Sequence, residues 1–189
     1  DHSADFNEDQ RELLTLARCA CDVIVENPTD APEKWVIRGD DLEGNIVRAA
    51  AQYDIVQDAA DRSDIQIRIP FNSVNKFSVT RIPGRYLPDH LSQFEDPHVV
   101  LGAPEVLIAR SHVSAEEKVK LTNAVEEHSR YGRRVLGVAL LTPHTDPQSI
   151  TPDHVQNITF LGAFSFFDPI RPEVADALHK INGYDTRVV

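Results

Sequence analysis

The stretch RIPFNSVNKFSVTR (68–81) puts an aromatic, Phe71, directly after a proline, and a lysine, Lys76, five positions further on. A ring among small polar residues at the bend of a hairpin has two uses. It covers the sheet, or it offers a flat platform on which adenine can stack, a contact worth on the order of 1–3 kcal/mol by analogy with nucleic-acid bases. Lys76 is either a solvated strand residue or a point charge for phosphate. In so acidic a chain, a cation beside an aromatic is what a phosphate-bearing ligand needs. The other chemistry-bearing residue types are less organised. Cys19 and Cys21 form a C-x-C within a helical pattern, and two residues apart on a helix they point in different directions. Neither a disulfide nor a metal site is expected of them, since no second Cys or His pair completes one. They read as reduced cysteines in or near the core, which fits a reducing compartment. The eight histidines fall in no hydrolytic motif, and no G-x-S-x-G elbow occurs.

The elements that must position these residues follow from periodicity. Residues 8–25 carry Leu13, Leu16, Ala17, Ala20 and Ile24 at helical spacing, and the prolines of ENPTDAPEKW then break the pattern. A second helix spans 40–52, with Asp40 or Asp41 as N-cap after Gly39 and Glu43 in the first turn, where a carboxylate favours the helix dipole. DIQIRI (64–69) and NKFSVTR (75–81) alternate as strands, with Phe77 and Val79 on one face. HVVLGAPE (98–105) is a short strand ending at Gly102, and a short helix over 103–110 takes Pro104 in its first turn. The helix 114–132 opens on a Ser114/Glu117 capping box, takes Val119, Leu121, Ala124 and Val125 as apolar positions, and stops at Gly132. Strands follow at 133–142 and 157–167, then a helix at about 172–181 and the start of a buried strand. Adjacent strands with short connections predict an α+β fold: a twisted antiparallel sheet of about six strands with helices on both sides.

Composition removes several partners. The net charge of −11 leaves no basic face for nucleic acid and disfavours direct contact with a membrane surface. No window approaches the roughly 18 apolar residues of a membrane span. The polar, acidic start DHSADFNEDQ is unlike a signal peptide.

Four separated segments carry more than periodicity does. They are GDDLEGNIVRAAA (39–51), PFNSVNKFSV (70–79), LGAPEVLIAR (101–110) and RRVLGVALL…ITFLGAFSFFDPIRPEV (133–174). In this order and spacing they resemble the GD-x-x-E, F-x-S-x-x-K, KGAPE, R-V-L and DPPR signatures of the nucleotide-binding domain of P-type cation-transporting ATPases. PFNSVNKF is most similar to the branch that pumps sodium, potassium or calcium ions. The resemblance runs from about residue 8 to the end. It divides the chain into a nucleotide-binding domain (1–167), a hinge (168–171) and the first part of a phosphorylation domain (172–189).

The resemblance implies roles for particular residues. Phe71 stacks on adenine. Glu43 accepts a hydrogen bond from the adenine amine, a role that suits an acceptor-only carboxylate. Asp40 supports that loop or caps the helix. Lys76 and Arg134 supply charge for the phosphates or the pocket. Ser73, Leu101, Gly102, Ala103 and Leu136 complete the nucleotide site. Asp168, Pro169 and Arg171 belong to the hinge. Three positions depart from the family pattern, the least consequential being Leu42, where the family often has Ser or Thr. Leu101 stands where the family usually has a lysine, so it can pack on a base but neither donates a hydrogen bond nor offers charge. Ile170 replaces the second proline of the hinge.

The implied ligand is ATP, with Mg2+ carried on its phosphates and no metal site of the chain's own. The implied partners are the phosphorylation and actuator domains of the same parent chain, and the implied setting is a cytoplasmic domain of an integral membrane protein. The D-K-T-G-T stretch of the phosphorylated aspartate and the T-G-D-x-x-x-D segment do not occur in the sequence. The expected function is therefore to hold ATP and present its γ-phosphate to an aspartate on another domain, without turnover by this chain alone. Two other readings compete. One is a degenerate pump-derived domain with weak or no nucleotide binding, acting as an interaction module. The other is a self-contained hydrolase, which lacks a supporting motif.

Overall fold

Asn7 and Gln10 start the first helix by exchanging side-chain hydrogen bonds with each other's backbone N–H groups, at 2.8 and 3.1 Å. This computed structural model describes residues 7–55, 63–94, 97–142 and 149–167, together with Val174. Helix α1 (Glu8–Ala20) is shorter than its apolar pattern suggests. Cys21 is extended, at φ −68° and ψ 130°, and the chain passes into a two-residue strand, β1 (Ile24–Val25). This pairs antiparallel with β2 (Ile37–Arg38), a ribbon with no counterpart in the sequence reading. Arg48 holds the intervening loop by donating to the carbonyls of Pro32 and Trp35. Helix α2 (Asp41–Gln52) begins where expected, with Asp40 as its N-cap.

The main sheet has five antiparallel strands in sequence order: β3 (Gln66–Ile69), β4 (Phe77–Arg81), β5 (His98–Gly102), β6 (Arg134–Leu141) and β7 (Thr159–Phe166). Helices α3 (Pro104–Arg110) and α4 (Ala115–Arg130) connect β5 to β6. The fold is α+β, and among the described residues the expected sheet of about six strands resolves into these five plus the separate ribbon.

Period-two alternation sorts the strands' side chains onto two faces. Val99, Leu101, Val138 and Leu140 pack with Leu14, Leu16 and Ala17 of α1 and Ile46 and Val47 of α2. Phe77, Val79, Val100, Ala139 and Leu141 pack on the opposite face with Leu107 of α3 and with Val155 and Ile158. Helices therefore cover both faces. Arg110 ties the second face together. Its guanidinium lies 5.1 Å from the centre of the Phe77 ring and donates to the carbonyls of Pro152 and Val155, each at 2.9 Å.

Helix α4 differs in detail from its sequence reading. Ser114 Oγ accepts from Glu117 N at 3.2 Å, the N-cap half of the expected box, and Gly132 ends the helix region at φ +70°. None of its residues is fully buried, however. Leu121 and Val125 turn partly inward, whereas Val119 and Ala124 are exposed. Cys19 and Cys21 are both buried and are not joined to each other. Among the described residues no helix is long and apolar enough to cross a membrane. The hinge residues Asp168, Pro169 and Arg171, and all but Val174 of the helix and strand expected after them, lie outside the described residues.

Candidate functional site

The loop from Pro70 to Lys76 presents Phe71. Asn72 shapes it: its side-chain oxygen accepts from Val74 N at 3.0 Å and Asn75 N at 2.8 Å, and its carbonyl accepts from Lys76 N at 2.8 Å. Lys76 closes the loop in the left-handed region, at φ +61°. The Phe71 ring does not turn back to cover the sheet. It is 61% exposed. It borders a cleft of about 210 Å³ with Asp22, Asp40, Glu43, Ile67 and Thr80. Phe71 and Glu43, carried by different elements, thus face one space.

Glu43 reaches that space from the third position of α2. Asp40 caps the helix, its Oδ1 accepting from Leu42 N at 2.8 Å and Glu43 N at 3.3 Å. Glu43 does not turn back to the cap. Its Oε2 accepts from the backbone N–H of Asp22 at 2.6 Å. Burial pushes the Glu43 carboxyl above the ordinary carboxylate range; the Asp22 hydrogen bond opposes that shift, and the charges of Asp40 and Asp22 add to it. Among the described residues, the walls of the cleft contain three carboxylates and no Lys, Arg or His. Such a site accepts hydrogen bonds and stacks against a ring, but it repels anions. Its volume is below the roughly 300–1,000 Å³ of pockets that enclose drug-sized ligands. It suits a ring system with the rest of the ligand outside.

Arg134 opens β6 and lies in an adjoining cleft of about 300 Å³ with Asp41, Arg48, Phe166 and Phe167. Asp40 borders both clefts. The remaining expected site residues are placed elsewhere. The Lys76 ammonium is 3.8 Å from Glu105 Oε1, at the start of α3 and away from the walls of the Phe71 cleft. Its carbonyl accepts from Ala103 N at 2.9 Å. Ser73 is exposed at the loop tip. Leu101 is 2% exposed and packs into the core shared with α1 and α2. Its cross-strand neighbour Ser78 lines the cleft instead. Leu136, opposite Phe164, is half-buried against the same core.

Gly102 is buried, and what approaches it closely is the next strand. A Cβ there would overlap the carbonyl oxygen of Lys76 and stand 2.6 Å from Phe77 Cβ. Among the described residues no group of three or more His, Cys, Asp or Glu is arranged to hold a metal ion.

Asp22, Ile67, Ser78 and Thr80 border the cleft and escaped the sequence reading. Ile67 shares the apolar side of the alternating strand with Ile65 and Ile69, so the pattern points it inward; it is instead 43% exposed, where the pairing with β4 shifts register between Ile67 and Ile69. Asp22 acts on Glu43 through its backbone amide, for which the sequence carries no side-chain signal.

Comparison with known proteins gives the same direction. Residues 9–173 match the family model described as P-type ATPase, cytoplasmic domain N. Potassium-transporting ATPase alpha chain 2 of Cavia porcellus is 28% identical over 181 residues, covering 82% of this chain and 17% of that relative. The chain thus spans a small part of the length of the curated relative it matches.

Proposed function

The chain belongs to the P-type ATPase cytoplasmic N-domain family, and from that premise we propose that it binds ATP, with adenine in the cleft between Phe71 and Glu43. One observation carries the reading: an exposed ring and a carboxylate from separate elements border a single cleft of base-like size. Phe71 stacks on the base, and Glu43 accepts from its exocyclic amine. The three carboxylates keep the triphosphate out of the cleft. The phosphates run toward solvent and Arg134, with Mg2+ bound on them. Lys76 stands outside the cleft walls beside Glu105, and a phosphate that reached it would compete with Glu105 for its ammonium. Leu101 supports the floor through Ser78, without the charge that a lysine would bring.

In a complete pump, the outward phosphates are presented to an aspartate on a separate phosphorylation domain. Phosphoryl transfer needs positioning and charge stabilisation more than covalent chemistry from the nucleotide-holding domain. The cycle would move cations across a membrane, with the phosphorylation and actuator domains as partners.

Titration with Mg-ATP, followed by amide chemical shifts, tests the reading. Shifts are expected at Phe71, Asp22 and Glu43. Their absence at millimolar nucleotide overturns it and leaves the interaction-module reading.

A further inference from the structure

The backbone N–H of Asp22 meets Glu43 Oε2 across 21 residues. Gly39 permits the approach. A Cβ there would stand 2.7 Å from Val23 Cγ1 and 3.0 Å from the Asp22 carbonyl oxygen, and its φ of +133° is itself suited to glycine. The segment leaving α1 therefore lies directly against the turn entering α2. A carboxylate has two oxygens and roughly four lone-pair sites. With Oε2 held by Asp22, Oε1 remains to meet a ligand.

Among the described residues, the charged groups facing Glu43 in the cleft are Asp40, from its own helix cap, and Asp22, from the segment after α1. No charged residue of β3, β4 or the Phe71 loop lines the cleft. Like charges on two sides favour turning an ionised Glu43 outward to water. The Asp22 amide opposes this.

We propose that the Asp22 amide is a positioning group for base selection. By fixing Glu43 as an acceptor, it makes the cleft prefer a purine with an exocyclic amine over one with a ring carbonyl at the same place. The amine donates to the carboxylate. The carbonyl would set acceptor against acceptor and leave buried polar groups unpaired, which is how polar sites reject analogues. The proposal rests on the nucleotide reading above.

A pair of variants isolates the amide. Asp22→Ala and Asp22→Pro both remove the side-chain carboxylate, but only proline removes the N–H. Cys21, at φ −68° and ψ 130°, has the backbone that a following proline requires. Dissociation constants for ATP and inosine triphosphate are measured for each. The wild type and Asp22→Ala are expected to prefer ATP by about tenfold or more. Asp22→Pro is expected to bring the ratio close to one, mainly by weakening ATP. A ratio in Asp22→Pro equal to that in Asp22→Ala overturns the proposal while leaving nucleotide binding intact. Failure of both nucleotides to bind the wild type overturns both.

A test on the wild type covers the case where the proline variant does not fold. The Asp22 amide proton shift is followed against pH, with and without each nucleotide. ATP is expected to lower the midpoint of this titration, and inosine triphosphate is not. Equal midpoints with the two nucleotides sink the proposal.

Discussion

Phe71 and Phe77 flank the same hairpin bend, yet 61% of the first is exposed and none of the second. Phe77 is locked between Arg110 and the core of Val79, Val100 and Leu107. Phe71→Ala is therefore expected to leave thermal stability nearly unchanged and to weaken ATP binding by about tenfold, the loss of one stacking contact. Phe77→Ala is expected to cost about 3–5 kcal/mol of stability. Urea melts and ATP titrations on the two variants check this. A large stability loss in Phe71→Ala would make its ring part of the core.

Glu43 provides a pH signature. Its carboxyl is raised above the ordinary range by burial, so the folded chain holds that proton more tightly than the unfolded chain. The stability this contributes is present below the unfolded pKa and is lost as pH rises through the folded value. Glu43→Gln cannot ionise. Its stability relative to the wild type should therefore rise as pH goes from about 4 to about 7, spanning the carboxylate range. Urea melts across that range test the sign, and a constant difference contradicts it.

Gly102→Ala should damage the fold in a way that side-chain movement cannot relieve. The added methyl meets backbone on the adjacent strand, at the Lys76 carbonyl, as well as Phe77 Cβ. The expected cost is about 1–3 kcal/mol, the usual range for overpacking. Amide shifts should change along Lys76–Val79 and Val100–Gly102. A variant as stable as the parent would mean that the two strands separate more readily than their register implies.

Arg134→Gln tests where the phosphates run. The variant is expected to weaken ATP severalfold and to leave adenosine binding unchanged, because Arg134 lies outside the Phe71 cleft. Raising ionic strength should narrow the gap between variant and wild type, since exposed charges are screened. Equal weakening of adenosine would assign Arg134 to the support of the base cleft.

β3 and β4 were legible from their period-two alternation, and β5 and β6, buried against both cores, from short continuous apolar runs. The end of α1 was not. The run CDVIV continues the apolar spacing, but its β-branched Val23, Ile24 and Val25 belong to a segment that extends at Cys21 and pairs with Ile37–Arg38. Phe71 and Lys76 are close in the chain, and the sequence reading put them side by side. The left-handed turn at Lys76 instead places its ammonium beside Glu105. Leu101 shows a different limit. Alternation assigns it to a face but does not show whether that face is cleft or core. Neighbouring Ser78 reaches the cleft because it lies one strand nearer the edge.

Helix α4 buries none of its residues, whereas the two native thiols at Cys19 and Cys21 are 3% and 6% exposed. The molecule therefore shields its own sulfur and offers a surface that tolerates replacement. A cysteine introduced at Val119, which is 59% exposed, would take a maleimide dye at one location. That gives a fluorescent handle on the domain without altering either cleft.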